Sequence, residues 1–337
     1  MVEAVTTYGS FWVKLPDYSC KERDAYLESI SRLFKVDSSK RPFHSGNGVA
    51  RGYIQVGGES GAASNFEHKE GFSYGFGQWD DRGQAPSNDM EAYNTWPSCG
   101  DAPEFSKDDR TMLEKKLWGV CTDVGDALVR MFSVDLCGDE GTLADDWRGG
   151  ETTHLARLFR YLPLSKLPEG FDKDRYSQVL GSSAHTDWGL LTIILADDTP
   201  GLELYWTGQR VSASKESEEE NADAGWRLVL PEFDQGKLFV NAGDFMAIAS
   251  GGRYTSPLHR VVLPTDVVSQ ERRSCVFFYY PRYDAKIPTL TGGCKQTYSV
   301  FTDQANGGGA LSVNGEDISF GSFISQKWAS VARRPSS

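Results

Sequence analysis

The second half of the chain is a series of short apolar stretches cut by glycine, proline and aspartate, and this pattern limits the fold more than any other feature. The stretches are residues 190–196, 202–206, 226–229, 238–241, 245–249, 259–263 and 275–280. Many short strands with turns between them predict a sandwich or jelly roll rather than a parallel sheet. The aromatic content, 9 Trp, 14 Tyr and 18 Phe, suits a β-rich core or an aromatic-lined pocket.

The first half reads as mixed helix and strand. Residues 10–15 predict a short strand, and 17–34 an amphipathic helix with Leu27, Ile30, Leu33 and Phe34 at helical spacing. Residues 36–48 read as a loop, 51–54 as extended, 57–64 as irregular and 86–103 as a long surface connection. The clearest helix is 107–134. Leu113, Leu117, Val120, Val124, Leu128 and Met131 share one face, which would pack on a sheet, and Gly138 would stop the helix. The acidic stretch 212–224, with Glu216, Glu218, Glu219 and Glu220, predicts a solvated hairpin tip, and 318–331 a closing helix. The fold class is therefore mostly β with flanking helices (α+β), around a jelly-roll core. The expected organisation is one domain over 1–337. A mixed region at 1–150 packs on a core at 151–300, and 301–337 adds a C-terminal segment and helix.

The 337 residues carry 35 basic and 47 acidic side chains, a net charge of −12. So acidic a surface disfavours nucleic acid, which needs basic patches, but a few local arginines can still bind a small anion. No apolar run approaches a membrane span, and the N-terminus lacks a basic region followed by an apolar core. The cysteines, at 20, 99, 121, 137, 275 and 294, are scattered and form no CxxC pair. They read as reduced thiols of a cytoplasmic protein, not as a disulfide scaffold or a zinc site.

Chemistry concentrates around two of the five histidines. His185-Thr186-Asp187 stands just before a predicted strand, where alternate residues aim the same way. Imidazole plus carboxylate suits Fe(II), Mn(II) or Zn(II), but the tripeptide alone is weak. His259, in Ser256-Pro257-Leu258-His259-Arg260-Val261, adds a distal imidazole. Two histidines and one carboxylate form the facial triad of non-haem Fe(II) oxygenases, with positions left open for co-substrate and dioxygen.

The order His185-x-Asp187, Asn241-x-Gly243-Asp244, His259-Arg260-Val261 and Arg272-x-Ser274, with the spacing to Pro281, resembles the Fe(II)- and 2-oxoglutarate-dependent dioxygenases of the isopenicillin N synthase-like branch. Weaker agreement runs from Phe11 to Trp328. The resemblance implies a double-stranded β-helix of cupin-like form, with iron held by His185, Asp187 and His259. It implies that Arg272 and Ser274 hold the far carboxylate of 2-oxoglutarate. A guanidinium and a hydroxyl on one strand face suit that role, and Arg273 would then point away. Tyr161, in Arg157-Leu158-Phe159-Arg160-Tyr161-Leu162-Pro163, resembles a tyrosine donated to a co-substrate carboxylate, or is a core tyrosine. Relatives carry an earlier strand and helix before the segment resembling 9–13, so this chain lacks that piece or belongs to a short subgroup.

Arg51 of Arg51-Gly52-Tyr53 resembles a position that meets a substrate carboxylate, or else it pairs with a local acid such as Glu59. Lys69 and Glu70 read as structural. His68 and His154 fall outside the triad, and His44 lies in a loop. The implied reaction is oxidation, foremost hydroxylation, of an unactivated C–H bond of a small, possibly carboxylated metabolite. Fe(II), 2-oxoglutarate and O2 take part, ascorbate supports activity, and succinate and CO2 are released. Desaturation or ring closure of an amino-acid-derived intermediate is the alternative outcome. An oxidase like isopenicillin N synthase, which shares the motifs without using 2-oxoglutarate, is the alternative within the family. From other classes come a metal-free jelly-roll binding module and a zinc hydrolase, though His-Glu-x-x-His is missing.

Overall fold

The computed structural model describes residues 1–16, 18–44, 50–60, 65–98, 100, 102–207, 224–263, 270–286 and 319–332. The acidic stretch expected as a hairpin tip lies almost wholly in 208–223, outside the described residues. The strands are β1 (Ser10–Lys14), β2 (Phe43–His44), β3 (Arg51–Ile54), β4 (Asn65–Glu67), β5 (Lys69–Gly75), β6 (Leu155–Tyr161) and β7 (Gln178–Leu180). They continue as β8 (Ser182–His185), β9 (Leu191–Ala196), β10 (Leu202–Trp206), β11 (Gly225–Leu228), β12 (Lys237–Ala242), β13 (His259–Val261) and β14 (Arg272–Tyr279). The α-helices are α1 (Val2–Tyr8), α2 (Cys20–Leu33), α3 (Lys107–Thr111), α4 (Trp118–Cys137), α5 (Thr142–Trp147), α6 (Asp244–Ala249) and α7 (Phe320–Ala332).

An eight-stranded sheet, ordered β1-β12-β9-β14-β6-β5-β3-β2, forms the middle layer. A four-stranded sheet, β11-β10-β13-β8, faces it, and β4 and β7 form a small parallel pair. The period of two along each strand builds a separate core on each face of the large sheet. Cys275, Phe277, Ile193, Leu195, Leu158 and Leu238 turn toward the helices and meet Ile30 and Leu33 of α2 and Val124 and Leu128 of α4. Val276, Ile194, Phe159, Tyr161 and Phe239 turn the other way and pack on Leu202, Leu204 and Val261 of the small sheet. The facing sheets are the expected jelly roll, without closing into a barrel.

Three expectations need correction. Residues 245–249 form the helix α6, not a strand. Phe245, Met246, Ile248 and Ala249 are all buried, so periodicity had no polar face by which to separate the two. The long helix is real but is interrupted by a π-helical turn at Met112–Leu117, and it runs on to Cys137, where Gly138 caps it in the left-handed conformation. Leu113, Leu117, Val124 and Leu128 are buried, yet Met131 is half exposed because Val129 and Phe132 take the core-facing positions. The 86–98 connection is not all surface. Met90 and Trp96 are buried, Asn94 exchanges hydrogen bonds with the Gly75 backbone, and Trp96 donates to Glu114.

Two substitutions probe this packing. A Cβ on Gly125 of α4 would lie 2.0 Å from the Tyr279 ring. Gly125→Ala, which gains ~1 kcal/mol in helix propensity, should therefore still destabilise the protein through overpacking of about 1–3 kcal/mol. A raised denaturation midpoint would contradict this contact. His154 is buried among Trp118, Phe277 and Tyr279, and burial pulls its pKa down to about 3. The unfolded chain takes up this proton near pH 6.5, so native stability should decline as pH falls from there toward 3. His154→Gln keeps an acceptor for the Tyr280 N–H and should flatten that acid limb of the stability curve.

Candidate active site

β13 pairs with β8 in a register that sets His259 directly opposite His185, with the ring centroids 4.3 Å apart. Past the end of β8 the chain turns, and Asp187 comes back beneath both rings. His185 Nε2 lies 3.7 Å from Asp187 Oδ1, and His259 Nε2 lies 3.7 Å from Oδ2. One ligand atom from each residue fits within 4.8 Å of the other two, so among the described residues this is the group that could hold a metal ion. Each imidazole is fixed by its other nitrogen. Nδ1 of His185 lies 2.7 Å from Ser183 O and that of His259 3.0 Å from Pro257 O. A carbonyl only accepts, so Nδ1 carries the proton and Nε2 keeps its lone pair for an ion.

The electrostatics point the same way. Burial opposes the charge on Asp187, but the two imidazoles and the Asn241 amide, donating to Oδ2 at 2.9 Å, outweigh it and hold the carboxyl below its ordinary value. Burial, with His185 adding to it, lowers His259, which favours the neutral ligand form. His185 is the open side of the trio, its side chain 41% exposed against 4% for Asp187 and 8% for His259.

A second group lies on the inner face of the large sheet. Arg272 and Ser274 alternate along β14 and share that face. Arg272 Nε donates to Thr199 O at 3.2 Å, while Arg272 Nη1 and Ser274 Oγ are buried with no protein partner among the described residues. Such groups are rare unless a ligand completes them. Tyr161 stands opposite Arg272 in the β6–β14 register, and its ring lies under the guanidinium at 4.9 Å. It meets Arg272 through its face. Arg273 turns to the other side, toward Ser31 and Asp197.

A charged lattice that motif reading missed adjoins this group. Lys69, opposite Tyr161 on β5, reaches Glu67 at 2.9 Å, Glu59 at 3.2 Å and Ser182 Oγ at 3.2 Å. Glu59 also receives Arg157 at 2.7 Å. Burial works against ionising Glu59, but Arg157 and Lys69 prevail and lower its pKa. Arg157 shares the face of Phe159 and Tyr161, and its Nε is buried without a hydrogen-bond partner among the described residues, as is Ser73 Oγ on the paired residue of β5. The alternation Arg157-x-Phe159-x-Tyr161 was the available signal. Glu70 binds Arg41 and Arg160, both at 2.8 Å. Arg51 is fully buried, packs against Gly75 and donates to Met90 O at 2.9 Å; burial, with Arg157 adding repulsion, lowers its pKa to about 10. His68 and His154 are buried away from the trio, and His44 lies in β2.

Residues 153–281 match the family model of the 2OG-Fe(II) oxygenase superfamily. A homoarginine-6-hydroxylase of Arabidopsis thaliana is 31% identical over 214 residues, covering 62% of this chain and 53% of the relative. A gibberellin 20 oxidase of Oryza sativa is 27% identical over 301 residues, 89% of this chain and 66% of the relative. The chain thus spans between about a half and two thirds of these curated relatives. Among solved structures, a Neurospora crassa protein in complex with alpha-KG and thymine has a TM-score of 0.69 at 19% identity, covering 98% of this chain and 89% of its own. A putative 2OG-Fe(II) oxygenase from Caulobacter crescentus scores 0.68 at 23% identity, covering 97% and 92%. At these identities the structural matches speak for the fold. No described helix is long and apolar enough to cross a membrane.

The trio can be separated from the other histidines by titrating the protein with a divalent ion. His259→Ala should abolish tight binding, because two ligands hold such an ion poorly. His68→Gln, at a histidine away from the trio, should leave the affinity unchanged.

Proposed function

From the match of residues 153–281 to the 2OG-Fe(II) oxygenase superfamily, we propose that this protein is an Fe(II)- and 2-oxoglutarate-dependent oxygenase. In this reading it oxidises an unactivated C–H bond of a small polar metabolite, with hydroxylation the leading outcome. The observation that carries the reading is the pairing of a three-ligand centre with the buried, unpartnered Arg272 Nη1 and Ser274 Oγ on the adjoining sheet. A metal-free binding module has no use for the first, and a zinc hydrolase none for the second. The order of these motifs favours the isopenicillin N synthase-like branch.

His185, Asp187 and His259 would hold Fe(II). Bound Fe(II) would let O2 act as the oxidant, with 2-oxoglutarate supplying two electrons as it becomes succinate and CO2, so that one oxygen atom goes to the substrate and the other to succinate. Arg272 grips the far carboxylate of the co-substrate through parallel N–H bonds, and Ser274 adds a hydroxyl donor. Tyr161 stiffens that grip by stacking on the guanidinium. Arg157 and Ser73 offer donors on the same inner face, and Glu59 beside them offers an acceptor. This supports a substrate with a carboxylate or an amide-like edge. Arg157 takes the role expected of Arg51, which serves here as a buried brace for the 86–98 connection. Homoarginine and thymine, named in the relatives above, are small polar molecules. The same reading treats 1–337 as one domain and places it in the cytoplasm.

The test measures succinate release and oxygen uptake in the presence of Fe(II), 2-oxoglutarate and ascorbate, across a panel of small polar metabolites. Arg272→Lys should weaken 2-oxoglutarate, since an ammonium cannot reproduce the planar fork. Ser274→Ala should cost less, about 1 kcal/mol for one hydrogen bond. Unchanged co-substrate affinity in Arg272→Ala would overturn the assignment. Oxygen uptake without succinate would point instead to an oxidase like isopenicillin N synthase.

A further inference from the structure

The C-terminal helix α7 meets the metal-binding loop through a buried ion pair. Phe320, Phe323 and Ile324 seat the helix, and the rings of Phe320 and Phe323 lie 5.2 and 5.6 Å from that of Phe245 in α6. One turn beyond Phe323, Lys327 places its ammonium 2.8 Å from Asp244 Oδ2, with side-chain exposures of 4% and 0%. That oxygen also accepts from Thr186 Oγ1 at 3.3 Å, and the Asp244 N–H donates to Asp187 O at 2.7 Å. Thr186 stands between two of the three ligands. Asp244 therefore grips the ligand-bearing loop twice, once by side chain and once by backbone, while Lys327 grips Asp244.

A carboxylate this deeply buried keeps its charge and its orientation only with a partner. Removing the ammonium would take away the partner that fixes Asp244 Oδ2, leaving the carboxylate to turn away and alter its bond to Thr186. Asp187, the next residue, is aimed by that stretch of backbone. We propose that Lys327 is a positioning residue of the metal centre, acting through Asp244 and Thr186 to hold the Asp187 carboxylate in its ligating orientation. The inference rests on the metal-dependent reading above.

The experiment is a titration of the full chain with Mn(II) in the presence of 2-oxoglutarate, followed by electron paramagnetic resonance well below the unfolding temperature. Lys327→Met should bind about 10- to 100-fold more weakly, the usual effect of losing a residue that orients a metal ligand. Phe320→Leu damages the packing of the same helix at Phe245 and Tyr280 and spares Phe323, whose ring the Lys327 ammonium faces at 5.6 Å. It should lower the unfolding temperature and keep the wild-type affinity, which a merely structural Lys327 would not distinguish. Lys327→Arg, which retains a cation, should recover most of the affinity. If Lys327→Met does not fold, Thr186→Val carries the test, since it removes only the hydroxyl bond and should weaken Mn(II) by a smaller factor. Wild-type affinity in a folded Lys327→Met, or in Thr186→Val where that variant stands in for it, overturns the proposal while leaving the metal reading intact. Failure of the wild-type protein to bind Mn(II) overturns both.

Discussion

A carboxylate closed off from water sets the terms for this structure. Asp187 is almost fully buried, and an isolated charge there would be prohibitive. The Asn241 amide donates to it and the Nε2 atoms of two imidazoles face it at 3.7 Å, and each comes from a different strand or loop. The requirement reaches outward. Asn241 lies on β12, whose register with β9 and β1 sets its place. His259 must face His185, which fixes the pairing of β13 with β8 and with it the edge of the small sheet. The loop must pass over the start of α6, whose first N–H groups satisfy the carbonyls of Asp187, Trp188 and Gly189. A change in any of these registers would strand a charge, so the site and the sheet order stabilise each other.

The His185–Asp187–His259 trio and the Arg272–Ser274 pair stood out in the sequence because the metal and the dicarboxylate proposed for them demand particular residue types at particular spacings. Most of the strands stood out as well, since turn residues mark their ends. What escaped were features set by tertiary contact. α6 is a single turn of buried residues, and only its docking on the 187–189 carbonyls decides helix over strand. The π-helical turn at Met112–Leu117 shifts the face of the long helix, so Met131 leaves the core while Phe132 enters it. Arg51 was the expected anion binder, and nothing in its local sequence set it apart from Arg157, which was read only as part of the Tyr161 segment. The difference is that Arg51 finds a carbonyl of the 86–98 connection, a contact no local pattern foretells, whereas Arg157 projects onto the inner face.

Lys69 and Glu70, both expected to be structural, sit on opposite faces of β5. Glu70 turns outward and ties Arg41 to Arg160, joining the segment after α2 to the sheet. Lys69 turns inward and neutralises Glu67 and Glu59, and Glu67 in turn accepts the Ser183 N–H on β8, two residues before His185. One strand position thus links the large sheet to the strand that carries a ligand.

The inner face of the large sheet is where charge and fold are most at odds. A jelly roll would be more stable with apolar residues there, because buried ion pairs often do no better than hydrophobic replacements. Instead Lys69, Arg157 and Arg272 share that face within a chain whose net charge is −12. Long-range repulsion from an acidic surface is screened within about 8–10 Å at ordinary ionic strength, whereas groups inside the sandwich act over a few ångströms in a poorer dielectric. An anion that reaches the open side at His185 therefore meets a local field set by those three cations and not by the surface. Glu59 and Glu67, both paired with Lys69, set two negative charges against the three positive ones. Glu59 also pairs with one nitrogen of Arg157, leaving its Nε for a ligand. Arg272, with a backbone carbonyl and an aromatic face as its protein contacts, keeps its charge for whatever binds beside Ser274.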